Sequence, residues 1–345
     1  MKNIKYLFIR IKNLDYKNFF NYINKVNKKT NKNKIFIFFD TIYCGIKYQA
    51  GYMDYYLFEM YDMNKQQRST VLTRGKNNMI IKYFNDKKYF NTFLYKPKFN
   101  EKFKKFINRD WILINENSYE KFLKFTNGKV NFIAKPIDGT CGKGIEKINV
   151  DETDKKELFN YLIQNKINLL EENITQHDDV NKMYPHSINT IRVITLYNNK
   201  NNKSTVFSAY FRIGNNNKFV DNFNSGGMVV PIDVKTGEIK YNALDKDGNL
   251  YDKHPMTQTN IKGYVIPKWD EIIKFSKKLA LVEKNIGIVG WDIAVTNKGL
   301  DVVEGNEFPG HDIYQLPPHR TDNIGVIPEF EKALNNIGLT KKDIF

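Results

Sequence analysis

The pattern of apolar and polar residues is most regular in the second half of the chain. Short apolar or alternating runs, bounded by turn residues, occur at 131–136, 145–150, 168–172, 186–197, 204–214 and 227–233. Runs of this length and spacing are typical of β-strands. Since few helical segments separate them, we predict antiparallel sheet in an α+β fold.

Apolar residues at helical spacing mark a second group of segments. They predict helices over 51–63, 84–94 and 154–165, and a further helix after Pro267. Asn85 or Asp86 is suited to cap the second of these helices. The apolar run 35–39 is ambiguous, because a short buried strand and the start of a helix share this pattern.

A hairpin predicted near the C terminus carries the best-placed acidic residues. The pattern indicates strands over 288–296 and 300–305, joined by a three-residue turn at 297–299. Counting outward from a symmetric turn puts Asp292 across from Glu304. The Cβ atoms of such neighbours lie about 5 Å apart and like charges repel there, so we expect a positive group beside them.

An amide oxygen completes this acidic pair. Asn306, two residues after Glu304, points to the same face of its strand. With Asp292 they form an oxygen-only set that suits Mg²⁺ or Mn²⁺, and above all Mg²⁺ bridged to a phosphate. The alternative is a hairpin whose acids face water, but its many apolar residues favour the metal site.

A glycine-rich loop, D-G-T-C-G-K-G at 138–144, lies between two predicted strands. Three glycines in seven residues let backbone N–H groups approach an anion. The loop lacks the G-K-[ST] ending of a P-loop and no helix follows it directly, so we interpret it as a flap over a nucleotide. Lys135, on the strand before the loop, is either a phosphate-binding cation or a solvated strand lysine.

The net charge narrows the class of partner. Among the 345 residues, Lys and Arg outnumber Asp and Glu by 54 to 38, a formal charge of +16. This charge favours anionic partners such as nucleic acid, nucleotide phosphates or acidic glycans. Because Lys and Asn are frequent along the whole chain, a general compositional bias explains the charge equally well.

Cysteine usage and hydropathy indicate the compartment. Cys44 and Cys141 are far apart and lack metal-ligand spacing, so neither a disulfide framework nor a zinc site is predicted. No secretory signal is convincing, and no window approaches the roughly 20 apolar residues of a membrane helix. We therefore expect a soluble, cytoplasmic protein without a transmembrane segment. Its basic N terminus would still allow peripheral contact with an anionic membrane.

Several motifs together resemble the ATP-grasp superfamily, and most closely the sugar-transfer-associated or glutamate-ligase-like ATP-grasp proteins. In chain order the motifs are D-K at 86–87, K-P at 135–136, D-G-T-C-G-K-G, L-L-E-E-N-I-T-Q-H, P-H-S-I-N-T-I-R-V-I-T-L, D-N-F-N-S-G-G, G-W-D-I-A-V and V-V-E-G-N-E-F-P-G. Their co-occurrence over roughly residues 45–315 is more specific than any one motif.

The resemblance implies an ATP-grasp fold, in which two α+β subdomains clasp ATP. We accordingly divide the chain into an N-terminal region of mostly helical or mixed structure, 1–84, and two subdomains. The first subdomain, 85–175, contains the glycine-rich flap, and the second, 176–345, contains the metal site.

The resemblance also implies roles for individual residues. It implies that Lys87 and Lys135 bind phosphate, and that the flap contributes Asp138, Gly139, Thr140, Gly142, Lys143 and Gly144. It implies an adenine-binding hinge of backbone groups that includes Glu171, Glu172 and Ile174, with His177, Asp178 or Asp179 near the ribose. The magnesium ligands it implies are Asp292, Glu304 and Asn306, the set that the hairpin count selects.

One position departs from the pattern of the superfamily. Many ATP-grasp ligases carry an arginine two residues before the first metal-binding Asp, where this chain has Gly290. We expect Arg192 or Arg212, each in a predicted long strand, to supply the charge for phosphate or for an acyl intermediate. The alternative for both is an arginine on the surface of a sheet.

The resemblance implies ATP-dependent ligation of a carboxylate to an amine through an acylphosphate, with ATP and Mg²⁺, or Mn²⁺ in its place. The partners would be a small-molecule or glycan-linked carboxylate, such as a uronic acid or amino acid of cell-surface polysaccharide synthesis, and an amine. One alternative is an ATP-grasp kinase that phosphorylates a hydroxyl. Another is a basic nucleic-acid-binding protein, which the lack of a recognition helix or zinc motif disfavours.

Overall fold

The computed structural model describes residues 14–138, 144–150 and 154–345. Contacts between residues divide the chain into two compact units. Unit 1 comprises Met1–Tyr83, Gly310–Asn335 and Leu339–Phe345, and unit 2 comprises Phe84–Pro309 and Asn336–Gly338. The three-part division stays a prediction, and the segment Gly310–Asn335, which it assigned to the C-terminal subdomain, clusters with the N-terminal helices.

The N-terminal part of the chain is helical, as predicted. Its helices are α1 (Tyr16–Thr30), α2 (Lys34–Lys47), α3 (Tyr52–Leu57), α4 (Lys65–Thr70) and α5 (Arg74–Phe84). One further helix, Ile327–Asn336, lies near the C terminus. Separate 3-10 turns occur at Met60–Asp62, Pro317–His319 and Lys341–Asp343.

Helix α2 resolves the ambiguity of the apolar run 35–39. The side chain of Asn33 accepts a hydrogen bond from the backbone N–H of Ile35 at 2.8 Å and so caps the helix. Ile37, Thr41 and Cys44 recur at helical spacing and are buried. The second of the two alternatives, the start of a helix, is therefore confirmed.

Unit 2 begins with short helical segments. They are the 3-10 turns Lys87–Tyr89 and Lys104–Phe106 and the helices α6 (Asn91–Leu94) and α7 (Lys96–Lys102). The single helix predicted over 84–94 is wrong in this respect, because it is divided between a 3-10 turn and α6. Asp86 caps the turn by accepting from the N–H of Lys88 at 3.0 Å, while the Asn85 side chain bonds elsewhere.

A four-stranded antiparallel sheet forms the first layer of unit 2. Its strands are β1 (Trp111–Leu113), β2 (Asn131–Lys135), β3 (Glu146–Asn149) and β4 (Leu169–Glu172), in the order β1-β4-β2-β3. Helices α8 (Tyr119–Thr126) and α9 (Lys155–Gln164) share a core with one face of it, through Phe122, Phe159 and Phe132. Lys135 and Glu171 belong to the other face, by the alternation of strand residues.

A seven-stranded antiparallel sheet forms the larger layer of unit 2. Its strands are β5 (Ile191–Asn198), β6 (Lys203–Ile213), β7 (Met228–Ile232), β8 (Ala243–Asp245), β9 (Leu250–Tyr251), β10 (Ile288–Thr296) and β11 (Gly299–Asn306), in the order β11-β10-β5-β6-β7-β8-β9. Helices α10 (Asp178–Met183) and α11 (Trp269–Leu279) lie in the same unit, with a 3-10 turn at Phe223–Ser225. The predicted α+β fold with antiparallel sheets is confirmed. Within the described ranges, no helix is long and apolar enough to cross a membrane.

Candidate functional site

The hairpin of β10 and β11 brings Asp292 and Glu304 together. Its turn contains two residues rather than the predicted three, because Thr296 pairs directly with Gly299. A register shift between Asp292 and Ile293 leaves one extra residue on β11, as in a β-bulge, and offsets the shorter turn. Asp292 therefore faces Glu304, and the predicted pairing is confirmed.

The open end of this hairpin is fastened by one amide side chain. Asn85 donates from Nδ2 to the carbonyl oxygens of Ile288, at 2.8 Å, and Glu307, at 2.6 Å. Its Oδ1 accepts from the N–H of Ile288 at 2.9 Å. The side chain is buried, so these bonds hold the start of β10 beside the end of β11 without water as a competitor.

Charged residues of four neighbouring strands, β11, β10, β5 and β6, meet at this point, and we call them the charged row. Asp292 of β10 pairs with Glu304 of β11 on one side and with Arg192 of β5 on the other. Arg192 donates to both carboxylate oxygens of Asp292, through Nε and, at 2.7 Å, through Nη2. Arg212 of β6 donates to the same carboxylate through Nη1. These two buried arginines are the positive groups that the acidic pair requires.

The arginines decide the charge state of Asp292. Burial opposes ionisation of this carboxyl, but the guanidinium groups of Arg192 and Arg212 outweigh burial and hold its pKa well below the ordinary value. Asp292 is therefore a carboxylate at neutral pH. Both arginines are buried in the sheet, so the alternative of surface arginines is wrong.

Glu304 lies at the solvent side of the row. Loss of surrounding water and the negative charge of Asp292 raise the pKa of Glu304. Since 57% of its side chain is exposed, the charge of Asp292 contributes more to this rise in pKa than the loss of water does. Arg192 Nη2 lies 3.7 Å from Glu304 Oε1, which leaves this carboxylate less well compensated than Asp292.

The donor set here fits a hard cation. Asn306 is half-buried, and its Oδ1 accepts from the N–H of Phe308 at 2.9 Å. Over the ranges described, no three His, Cys, Asp or Glu side chains gather where they could hold a metal. A cation at Asp292 and Glu304 would thus need Asn306 or ligands from a substrate. Mg²⁺ commonly takes one or two carboxylates together with substrate phosphates.

The chain has a glycine where an arginine was expected, and the packing shows what fills the space. A Cβ atom at Gly290 would lie 3.1 Å from Ile194 Cδ1, 3.2 Å from Arg192 Cδ and 3.3 Å from Pro309 Cβ. The stem of Arg192, together with Ile194 and Pro309, thus packs closely around the position from which a side chain at 290 would start. The charge reaches this site from the neighbouring strand instead of from β10 itself.

Asp221 is a functional candidate that the sequence interpretation missed. Its carboxylate accepts from the N–H of Thr190 at 2.9 Å and from the Thr190 hydroxyl, and its Oδ1 forms an ion pair with Arg212 Nη2 at 3.1 Å. Arg212 is thereby held between Asp221 and Asp292. The sequence does contain a signal for this residue, because the motif D-N-F-N-S-G-G begins at Asp221, but the sequence interpretation gave Asp221 no role.

A second buried network surrounds Lys135 on the smaller sheet. Lys135 Nζ lies 2.6 Å from Glu171 Oε2, and the Lys135 side chain is only 12% exposed. The alternative of a solvated strand lysine is therefore wrong. Glu171 also accepts from Arg109 Nε at 2.9 Å and from Asn100 Nδ2 at 3.0 Å. Burial opposes its ionisation, but Arg109 and Lys135 outweigh burial and keep the pKa of Glu171 far below its usual value.

Arg109 links the two sheets of unit 2. It is fully surrounded by protein, and besides Glu171 of β4 it contacts Asp301 of β11. Its Nη1 also donates to the carbonyl oxygen of Val302 at 2.9 Å. The strand that carries Glu171 is thus tied directly to the strand that carries Glu304.

Lys96 is a second functional candidate that the sequence interpretation missed, and it carries a positive charge. Its backbone N–H donates to the carbonyl oxygen of Ile137 at 3.2 Å, which places it at the base of the glycine-rich loop. Loss of surrounding water lowers the pKa of Lys96, and the charges of Glu304 and Lys135 also act on its ammonium group. Lys96 therefore lies near both sheets, where nucleotide phosphates are expected.

Lys87, the other lysine predicted to bind phosphate, forms no bond to the residues around Lys96 and Lys135 in the described part of the chain. It is exposed in the turn Lys87–Tyr89, and its side chain forms no hydrogen bond or ion pair with any residue that the structure describes. Its phosphate-binding role stays a prediction. Its immediate sequence does not set it apart from Lys96, because each is the first residue of a short helical segment that contains further lysine.

The predicted adenine and ribose contacts are dispersed. Glu172 accepts from the N–H of Asp110 at 3.1 Å, and Ile174 is half-buried. Asp178 is exposed and accepts from Asn297 Nδ2 at 3.0 Å, next to the turn of the hairpin. These roles stay predictions.

Only the ends of the glycine-rich loop belong to the described part of the chain. Asp138 is exposed, and Gly144 has a positive φ of 70°. A Cβ atom at Gly144 would lie 2.9 Å from Pro136 Cγ, so glycine is required there by both conformation and space. Gly139, Thr140, Gly142 and Lys143 lie outside the described residues.

The match to a protein-family model identifies an ATP-grasp protein. The chain belongs to the family of sugar-transfer associated ATP-grasp proteins, since the model of that family matches residues 69–323, well over half of its length. The match covers Lys96, Lys135 and the whole charged row. The search of curated proteins found no significant match to this sequence.

Solved structures of ATP-grasp enzymes are similar at low identity. The ATP-grasp ligase PsnB in complex with a minimal precursor is 11% identical, with a TM-score of 0.43, over 73% of this chain and 64% of that chain. The ADP complex of purK, N5-carboxyaminoimidazole ribonucleotide synthetase, is 12% identical, with a TM-score of 0.42, over 64% and 46%. D-Alanine-D-alanine ligase from Helicobacter pylori is 14% identical, with a TM-score of 0.37, over 71% and 61%. The chain spans less than two thirds of the length of each, and the family match alone carries the assignment.

Proposed function

We propose that this protein is an ATP-dependent carboxylate–amine ligase that works through an acylphosphate, with Mg²⁺, or Mn²⁺ in its place, as the metal. The observation that carries this proposal is the charge balance of the row. Two guanidinium groups, Arg192 and Arg212, face three carboxylates, Asp221, Asp292 and Glu304. The cluster therefore has one excess negative charge when all are ionised, and it attracts a divalent cation rather than phosphate itself.

Family membership supports the reaction class. The substrate carboxylate attacks the γ-phosphorus of ATP, the bond to the bridging oxygen breaks, and ADP leaves. An amine then attacks the acyl carbon, and phosphate leaves as the amide forms. Mg²⁺ held by Asp292, Glu304 and Asn306 would neutralise phosphate charge during the first step.

The protein residues mainly orient and stabilise. Lys135 and Lys96 carry positive charge toward the phosphates from the smaller sheet and the base of the loop. Arg192 and Arg212 are fixed by buried carboxylates, so they need no rearrangement when negative charge develops nearby. We further propose a uronic acid or amino acid of cell-surface polysaccharide synthesis as the carboxylate substrate and a cytoplasmic location.

The test is a screen of uronic acids and amino acids with amines, in the presence of ATP and Mg²⁺. Phosphate release together with a new amide supports the proposal, and hydroxylamine should trap the acylphosphate as a hydroxamate. The variant Asp292→Asn/Glu304→Gln should lose turnover. A product that keeps the phosphoryl group would identify a kinase and contradict the proposal.

A matched control removes two carboxylates elsewhere. Asp247 and Glu101 have side chains that are 65% and 64% exposed and lie outside the charged row. The variant Asp247→Asn/Glu101→Gln should keep full turnover. Equal turnover in both double variants would remove the charged row from the mechanism.

A further inference from the structure

Helix α2 is apolar on two opposite faces. Ile37, Thr41 and Cys44 enter the core of unit 1. Its outward residues are nevertheless apolar or aromatic, each between 38% and 69% exposed: Ile35, Phe36, Phe39, Ile42, Tyr43 and Ile46. At about 100° per residue the two sets point in opposite directions. A helix that is apolar all round is normally buried on all sides, and none of the residues that the structure describes covers this outward face.

The exposed face continues onto helix α1. The ring of Phe20, itself 51% exposed, stacks on Phe38 with centroids 6.2 Å apart. Phe38 in turn contacts Phe39 edge to face at 5.3 Å. We define the outward residues of α2 together with Phe20 as the apolar patch. A contiguous patch of this kind is a typical interaction surface, whereas single exposed apolar residues are not.

The charge around the apolar patch is strongly asymmetric. The described residues 14–47 contain seven Lys but only two acidic residues, a formal charge of +5. Both acids are engaged within the fold. Asp15 caps α1 by accepting from the N–H of Asn18 at 3.0 Å, and Asp40 accepts from both terminal nitrogens of Arg68 at 2.7 Å.

We propose that helices α1 and α2 dock on the surface of an anionic lipid bilayer. Apolar side chains of the patch would enter the boundary of the acyl chains, and the exposed lysines, among them Lys17 and Lys34, would contact anionic headgroups. Helix α2 has 14 residues and is about 21 Å long, shorter than the roughly 30 Å hydrocarbon core, so it lies along the surface.

Two other occupants fit less well. A second copy of the chain would bring the same positive charge against itself and repel. Nucleic acid would satisfy the lysines, but it offers no apolar phase for Ile35, Ile42 and Ile46. Of these three occupants, an anionic membrane satisfies both the apolar face and the surrounding charge.

The experiment is co-sedimentation of the full chain with vesicles of phosphatidylcholine, with and without phosphatidylglycerol. Binding should require phosphatidylglycerol and weaken as salt rises. Phe39→Ser/Ile46→Ser removes two outward apolar side chains and should weaken binding about tenfold or more. Lys17→Glu/Lys34→Glu should weaken it to a similar extent, on the order of tenfold. Both lysines lie in the first turns of their helices, where Glu is favourable to the fold.

Matched controls change equally exposed residues elsewhere. Val130 and Val265 are 68% and 57% exposed and isolated, so Val130→Ser/Val265→Ser should bind vesicles like the unaltered chain. Circular dichroism melting of every variant confirms that the fold is kept. Equal binding of Phe39→Ser/Ile46→Ser and the unaltered chain would overturn the proposal. So would a dimer that this variant converts to a monomer, or retention by DNA without any binding to vesicles.

Discussion

Replacement of Arg109 by Met is the sharpest test of how unit 2 is held together. Arg109 donates to Glu171 at 2.9 Å, to Asp301, and to the carbonyl oxygen of Val302 at 2.9 Å. Without it, Glu171 keeps Lys135 and Asn100. Among the described residues, the carboxylate of Asp301 then keeps only the N–H of Asn108, at 3.2 Å. Removal of one partner from a buried ion pair costs about 3 to 5 kcal/mol, which we expect as the loss in the free energy of unfolding.

The loss should depend on pH in a defined direction. In the unaltered chain the pKa of Glu171 is lower than in the unfolded chain. Ionised Glu171 therefore stabilises the fold at any pH above its unfolded pKa, and this stabilisation is lost as the pH falls through its pKa in the folded protein. Burial raises the pKa of Asp301 even beside Arg109. In Arg109→Met the lowered pKa of Glu171 should rise, and the raised pKa of Asp301 should rise further. Protonation of Asp301 between pH 7 and pH 5 should therefore reduce the difference from the unaltered chain.

Urea denaturation at pH 7 and pH 5 measures both effects. The double variant Arg109→Met/Asp301→Asn should be less destabilised than Arg109→Met at pH 7, because the buried negative charge is gone. Lys104→Met removes an exposed ion pair with Glu101 and should cost at most about 1 kcal/mol. A loss for Arg109→Met that is as small as for Lys104→Met, or that does not change with pH, would refute the reasoning.

Three further substitutions test the candidate site. Lys96→Met should raise the KM for ATP about tenfold, because loss of one charge-assisted contact costs about 1.5 kcal/mol, while Lys87→Met should change it less. Steady-state kinetics measures both KM values. A larger effect of Lys87→Met would favour the phosphate-binding role that the resemblance implies for Lys87. Asp221→Asn removes one of the two carboxylates that hold Arg212 and should lower kcat. Because this ion pair is buried, the melting temperature should fall as well, so kcat is measured at a temperature at which the variant is folded. An unchanged kcat would separate Asp221 from catalysis. Gly144→Ala should cost about 1 kcal/mol or more at the end of the glycine-rich loop, because the φ of Gly144 is positive and Pro136 is close. ATP should then protect the variant less well in limited proteolysis. Unchanged protection would contradict this.

Local patterning predicts the strands of unit 2 well. Period-two alternation and turn residues mark most of its strands, and the pairing of Asp292 with Glu304 follows from them. That pairing nevertheless depends on two deviations that cancel, a shorter turn and the bulge after Asp292. Run 35–39 is ambiguous in sequence because α2 is apolar on both faces, and only the cap at Asn33 favours a helix.

Contacts between distant segments lie beyond this kind of reasoning. Arg109 and Asp301 are 192 residues apart, and no local pattern connects them. Lys96 and Lys87 stand in equally basic surroundings, so only the tertiary fold separates the lysine near Glu304 from the exposed one. The two arginines were expected near the site because a positive charge was required, and their joint hold on Asp292 follows from strand register.

Asn85 has a consequence for how the metal site should respond to solution conditions. Its bonds to Ile288 and Glu307 are neutral amide bonds, and they join the ends of the two strands that carry Asp292 and Glu304. Added salt weakens the attraction between ions, but it leaves such bonds nearly unchanged. The spacing of the two carboxylates should therefore persist at any ionic strength at which the unit is folded. A salt titration of metal affinity would then measure electrostatic attraction alone, free of any cost of assembling the site.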